Sequence, residues 1–221
     1  MCSSDLKNLV KNLAKNLAKK SRTIIKMIKI IVSVLLFLLP TTAISGEYVS
    51  GTIGVHSDYV WRGYSQNDGE VALSAGIGVA FKGVTLAAWA SQVDFNDDAK
   101  YEYDLVANYD YWINDNFRVS GGYIRYAWDE VYDTIEEAYV GFGAYGVSVT
   151  YYQDLDNSDL DFVNAIVDVP FIKGFDVSLE YGKATGFDSY QAINVSKELG
   201  DWTVGGQIGS EESTIGISWN F

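Results

Sequence analysis

The chain has 221 residues, a formal net charge of −13, a single cysteine and two prolines. So acidic a sequence is a poor partner for nucleic acid, whose affinity comes from Lys and Arg, and Cys2 alone allows no disulfide or cysteine metal site. Aromatic residues make up 14% of the chain and Tyr alone occurs 16 times, a composition suited to strands with one lipid-facing face and aromatic girdles.

Residues 1–45 read as a leader. Leu6 to Lys20 repeats a basic Lys-Asn-Leu-Ala theme. Ile30 to Leu39 is an apolar run broken only by Ser33, preceded by Lys26 and Lys29 and ended by Pro40. The run is shorter than the ~20 residues a bilayer helix needs. Ala43 and Ser45 supply small residues at signal-peptidase spacing, so a secretory signal peptide cleaved after Ser45 is expected. Met27 opens a normal-length signal by itself, which leaves the true start at Met1 or Met27. With the leader go eight of the 16 basic residues and one of the 29 acidic ones, so residues 46–221 carry a net charge of −20. Cys2 goes with it.

The remainder predicts one all-β domain, an antiparallel transmembrane barrel, because side chains on a strand alternate with period two. From Tyr48 to Gly63, Val49, Ile53, Val55, Tyr59 and Trp61 share an outward face, while Ser50, Thr52, Gly54, His56, Asp58 and Arg62 share the inward one. Asn67-Asp68-Gly69 is a turn. Glu70 to Phe81 alternates again, with Val71, Leu73, Ile77, Val79 and Phe81 outward. Lys82-Gly83 is a tight hairpin, and Val84 to Phe95 is a strand whose alternation does not assign its faces.

Ser57-Asp58-Tyr59-Val60-Trp61-Arg62-Gly63-Tyr64-Ser65-Gln66 resembles the opening motif of the Gcw_chp family, also called TorF-type porins, with Trp61 and Tyr64 in place of a Phe and an aliphatic residue. Gly83 to Phe95 is similar to that family's second block, and Tyr101-Glu102-Tyr103-Asp104-Leu105 to its third. The resemblance runs through the chain after the leader in length and order. It implies a proteobacterial outer-membrane barrel and supplies no catalytic or ligand-binding residues to carry over.

Tyr101 to Ile113 is the clearest strand, with its Tyr residues and Leu105 outward and Glu102, Asp104, Val106, Asn108, Asp110 and Trp112 inward. Asn114-Asp115-Asn116 turns the chain. Phe117 to Asp129 follows, with Gly121-Gly122 expected as a bend or bulge. Further strands run Ile135 to Gly143, Val147 to Leu155 and Asp161 to Pro170. The next carries Phe175, Val177, Leu179 and Tyr181 outward and Asp176, Ser178, Glu180 and Gly182 inward. Tyr190 to Leu199, a strand from Trp202, and a last strand complete the set. In the last, Ile215, Ile217, Trp219 and Phe221 point outward and Thr214, Gly216, Ser218 and Asn220 inward. Trp219 and Phe221 resemble the signal that outer-membrane proteins present to the barrel-assembly machinery.

Twelve strands result, with ten as the alternative. An even number places both termini on the periplasmic side, with tight turns there and longer acidic loops outside. Outer-membrane lipid and lipopolysaccharide are the expected surroundings; oligomeric state is left open.

The inward charges are the candidate site. His56, Asp58, Arg62, Glu102, Asp104, Asn108, Asp110, Asp176 and Glu180 line the expected lumen, with His56 and Arg62 each within reach of Asp58. Acidic walls attract cations and repel anions, so a passive, weakly cation-selective channel is expected, with no cofactor. A structural or surface-interaction barrel plugged by an Arg–carboxylate network is the alternative. A lipid-modifying enzyme built on His56 is a third, although Ser57 points away from it. Asp154, Asp156 and Asp159 form the densest acidic loop, without the Gly and terminal Glu of a calcium loop; solvated surface charge is the expected role. Trp and Tyr are read as lipid-interface anchors.

Overall fold

The computed structural model describes residues 47–129, 132–156 and 160–221. The leader, its cleavage site, Met1, Met27 and Cys2 lie outside the described residues, as does Asp159.

The elements are β1 (Glu47–His56), β2 (Val60–Trp61), β3 (Tyr64–Ser65), β4 (Ala72–Phe81), β5 (Val84–Gln92), β6 (Tyr101–Asn114), β7 (Phe117–Trp128), β8 (Ile135–Ala144), β9 (Val147–Asp154), β10 (Asp161–Asp168), β11 (Asp176–Ala184), β12 (Ser189–Leu199), β13 (Trp202–Gly209) and β14 (Ser213–Asn220). All except β2 and β3 join one closed antiparallel barrel of twelve strands, each paired with its neighbours in sequence. β1 closes the ring against β14 with Thr52 opposite Asn220 and His56 opposite Gly216. Phe221 extends the seam by exchanging backbone hydrogen bonds with Gly51, at 2.7 and 3.0 Å. The Phe221 ring covers Gly51 where a side chain would otherwise stand, and it packs on Trp219 with ring centroids 4.8 Å apart.

The expected alternation places the faces. Val49, Ile53, Leu73, Ile77, Tyr103, Leu105, Leu179, Ile215 and Ile217 are exposed on the outside, whereas inward Glu102 is 3% exposed. Apolar residues outside and polar residues inside reverse the arrangement of a water-soluble domain. The small buried apolar cluster, Phe162, Tyr190 and Ala192 with Tyr152 and Ala184 against it, lies on the lumen side.

Two local expectations are corrected, and the faces of the third strand are assigned. The first strand stops at His56, and the residues after it leave the barrel wall. Gly121 and Gly122 pair in unbroken register; the shift falls at Trp112/Asn114 on β6 instead. Gly122 is required for space, since a Cβ there would meet the Tyr139 hydroxyl at 2.5 Å. On β5, pairing of Gly76 with Trp89 and Ser74 with Ser91 turns Thr85, Ala87, Trp89 and Ser91 inward. Its alternation was obscure because the outward face carries small Ala88 and Ala90 and the inward face a Trp.

Four of the five turns at the end bearing Glu47 and Phe221 are tight; the fifth, residues 169–175 between β10 and β11, is longer than the three-residue turn expected there. Lys82-Gly83 and Tyr145-Gly146 both have positive φ at their two central residues, the geometry that matches strand twist in a two-residue hairpin. The opposite end carries the longer connections, and the longest of them, residues 57–71, determines the interior.

Candidate functional site

Residues 57–69 form a hairpin inside the barrel. Val60 pairs with Ser65 and Trp61 with Tyr64, around a turn in which Arg62 has φ 50° and Gly63 φ 88°. Gly63 takes that conformation freely; Arg62 does so against a steric cost of about 1–3 kcal/mol, which its contacts offset. The hairpin root is tied to β14: the Ser57 amide donates to the Ile215 carbonyl at 2.8 Å, and the Thr214 hydroxyl to the Asp58 carbonyl at 2.7 Å. Buried Asp58 accepts from the Ser65 hydroxyl at 2.9 Å. Burial raises the Asp58 carboxyl above its usual range, against the lowering effect of that hydrogen bond.

From this root the hairpin crosses to the far wall. Tyr59 donates to Glu102 on β6 at 2.8 Å, and burial pushes its phenol pKa far up, so it stays a neutral donor. Its ring meets Trp89 of β5 edge-on at 5.1 Å. Trp61 meets Tyr126 of β7 edge-on at 5.7 Å. A Cβ on Gly63 would stand 2.6 Å from the Tyr190 ring of β12, so the turn rests directly on that ring.

Arg62 holds the tip. Its two terminal nitrogens donate to the two oxygens of Glu137 on β8 at 2.7 and 2.6 Å. The two side chains are only 14% and 5% exposed. The Tyr126 hydroxyl adds a third bond to Glu137 at 3.1 Å. The guanidinium lies 4.0 Å from the Phe162 ring centre, 4.2 Å from Trp61 and 5.0 Å from Tyr152. A planar cation bidentate on a carboxylate and stacked on rings is the arrangement Arg serves better than Lys. Glu137 and Arg62 depend on each other, because removing one partner strands a buried charge at a cost of about 3–5 kcal/mol.

Beside Arg62 lies a cavity of about 400 Å³ lined by residues that include Trp61, Phe162, Asn164, Glu180, Tyr190 and Gln207. Glu180 is its hub. It accepts from Asn164 at 2.7 Å, Tyr190 at 2.6 Å, Asn194 at 2.9 Å and Gln207 at 3.4 Å. On β6, Glu102 also accepts from the Trp128 indole at 2.8 Å. Asn108 bridges the Tyr139 hydroxyl at 2.7 Å and Asp110 at 2.8 Å. Asp110 faces Arg118 at 3.7 Å, and one carboxylate oxygen of Asp104 is buried without a hydrogen-bond partner.

Of the expected lumen residues, Glu102, Asp104, Asn108, Asp110 and Glu180 do share the inward face of β6 and β11. Asp176 has the same parity but sits exposed at the start of β11. His56 does not pair with Asp58; its Nε2 lies 3.3 Å from the Ser74 hydroxyl and its ring packs on Gly216. Arg62 does not pair with Asp58 either, but with Glu137 across the lumen. Tyr59 and Trp61 face the lumen wall rather than lipid, and Tyr126, Tyr152 and Tyr190 likewise line the interior instead of anchoring an interface. Glu137, Phe162 and these aromatics escaped the sequence reading. The available signal was Arg62-Gly63 between Trp61 and Tyr64, a two-residue turn inside an apparent strand. In the acidic loop, Asp154 accepts the Asp156 amide at 2.8 Å. Among the described residues no group of three or more His, Cys, Asp or Glu is arranged to hold a metal ion.

A family model described as "Bacterial protein of unknown function (Gcw_chp)" matches residues 40–220. No curated protein matches the chain. A solved structure titled "KdgM porin" is similar with a TM-score of 0.59 at 16% identity, covering 78% of this chain and 99% of that one. A second, "KdgM porin in complex with disordered oligogalacturonate", has a TM-score of 0.57 at 15% identity, covering 78% and 98%. At these identities the likeness is one of fold.

Proposed function

We propose that this chain, which belongs to the Gcw_chp family, is a passive outer-membrane porin for small cations and small neutral solutes, with the inserted hairpin as its constriction. The closed barrel with an apolar outer face suits a bilayer, where backbone groups must be satisfied internally. Its likeness to porin folds supports the same reading, as does the expected signal peptide. No chemical step is assigned to it. Trp219 and Phe221 on the outer face are available to the barrel-assembly machinery, and the acidic loops to the cations around lipopolysaccharide.

The observation that carries the selectivity is the charge balance of the lumen. The inward arginines on the described wall and hairpin, Arg62 and Arg118, each face a carboxylate already. Glu102 and Glu180 are held by neutral donors, with no cation against either. The excess is negative, and fixed negative charge in a narrow low-dielectric path concentrates cations. Oligogalacturonate, named with the KdgM porin, is a polyanion; the charge here argues against a ligand of that kind.

The refolded residues 46–221 in a planar bilayer test this. Steady openings with a cation-selective reversal potential in a KCl gradient are the expected result. Asp110→Asn keeps shape and removes the charge that faces Arg118, so it should lower the cation-to-anion permeability ratio about twofold with the barrel still folded. Silence from a correctly folded barrel would favour the alternative, a lumen plugged by its own hairpin. An unchanged reversal potential in the variant would remove Asp110 from the filter.

A further inference from the structure

We infer that the wall around Glu137 is a receptor for guanidinium-bearing solutes, and that Arg62 is a tethered occupant with which such a solute competes. This rests on the channel reading, since the solute must reach the lumen.

The wall brings most of the site without the hairpin. Glu137 is 4% exposed and is oriented by the Tyr126 hydroxyl. Phe162 and Tyr152, from β10 and β9, present their rings to the guanidinium at 4.0 and 5.0 Å. Only Trp61 comes from the hairpin itself. A carboxylate flanked by aromatic faces recognises a planar, weakly hydrated cation through two parallel hydrogen bonds and through the ring quadrupoles. A plug that served only to fill the lumen gains little from this chemistry, because a buried ion pair is often no more stable than apolar packing of equal volume. The adjoining cavity of about 400 Å³ gives room for the body of a solute whose head takes the Arg62 position. Its amide and carboxylate lining, Asn164, Gln207 and Glu180, can receive polar groups on that body.

The tether makes Arg62 a strong competitor, because a linked group acts at a high effective concentration. A free guanidinium therefore binds best when the tethered one is removed. The test uses methylguanidinium chloride, against sodium chloride at equal ionic strength, on refolded barrels in detergent micelles with the melting temperature as readout. Arg62→Ala should be stabilised by methylguanidinium, with wild type requiring at least about tenfold more, and Arg62→Ala/Glu137→Gln should lose the response. If Arg62→Ala does not refold, Arg62→Gln takes its place under the same criteria. Equal responses of wild type and variant, no response in the variant, or a response that survives loss of the Glu137 charge would each overturn the inference. The micelle readout does not require conduction, so a barrel that never opens in a bilayer defeats the porin reading without deciding this one. In a bilayer that does conduct, methylguanidinium should also lower the Arg62→Ala conductance about twofold or more, as the site fills.

Discussion

Arg62→Ala should raise single-channel conductance severalfold. The substitution removes both bonds to Glu137 and the stacking on Phe162, Trp61 and Tyr152. In the docked state it leaves Glu137 charged and buried with only the Tyr126 hydroxyl beside it. Releasing the hairpin lets water reach that carboxylate, so the cost falls on the docked state alone. At about 3 kcal/mol for a broken buried pair, the docked-to-released ratio falls about a hundredfold. The barrel itself should still assemble, because the hairpin root is held to β14 through Ser57 and Thr214 and the strand ladder does not involve Arg62. Single-channel recording, with heat-modifiable migration as the control for folding, checks both halves. A folded variant with wild-type conductance would mean that the hairpin is not the constriction.

Gly182→Val should destabilise the same arrangement from the opposite wall. A Cβ on Gly182 would overlap the Tyr190 ring. That ring cannot simply yield: Gly63 of the hairpin presses on it, it stacks on Phe162 at 6.4 Å and 5°, and its hydroxyl is bonded to Glu180 at 2.6 Å. Moving the ring breaks the Glu180 bond and unseats Gly63 together. Overpacking plus one lost charge-assisted bond suggests a loss of about 2–4 kcal/mol, read as a lower melting temperature, together with conductance raised as in Arg62→Ala. Gly182→Val with Tyr190→Ala should lose less stability than the sum of the two single changes, because the space conflict is gone, while conductance stays high. Wild-type stability in Gly182→Val alone would show that the ring has somewhere else to go.

The two variants bear on the part of the molecule that was hardest to read in advance. The alternation of Tyr48 to His56 resumes in Asp58, Tyr59, Trp61 and Arg62, interrupted only by Ser57 and Val60, so a single long strand was the natural expectation. The hairpin alternates as well because it too is β structure. Its Tyr59 and Trp61 face aromatic walls, and an aromatic wall and a lipid interface select the same residues. Trp89 on β5 and Phe162 on β10 hide in the same way, as bulky apolar side chains on the face that the polar pattern assigns to the lumen. The acidic residues of β6 were legible because Glu102, Asp104 and Asp110 alternate with Tyr and Leu over a long, uninterrupted strand. Glu180 was legible for the same reason on β11. Their partners were not, because Tyr59, Trp128, Asn164, Asn194 and Gln207 come from other strands and from the hairpin.

What the sequence determined by itself is the barrel: twelve strands, which face meets lipid, four of the five tight turns at one end, and the acidity of the interior. These follow from period-two alternation and turn chemistry, which act between residues a few positions apart. What only the tertiary structure decided is the contents of the lumen. Arg62 and Glu137 lie 75 positions apart, and nothing local marks either for the other. They meet because the ring of strands closes at Gly51 and Phe221 and leaves a hairpin whose Tyr59, Trp61 and Arg62 face an interior wall of aromatic rings and one buried carboxylate.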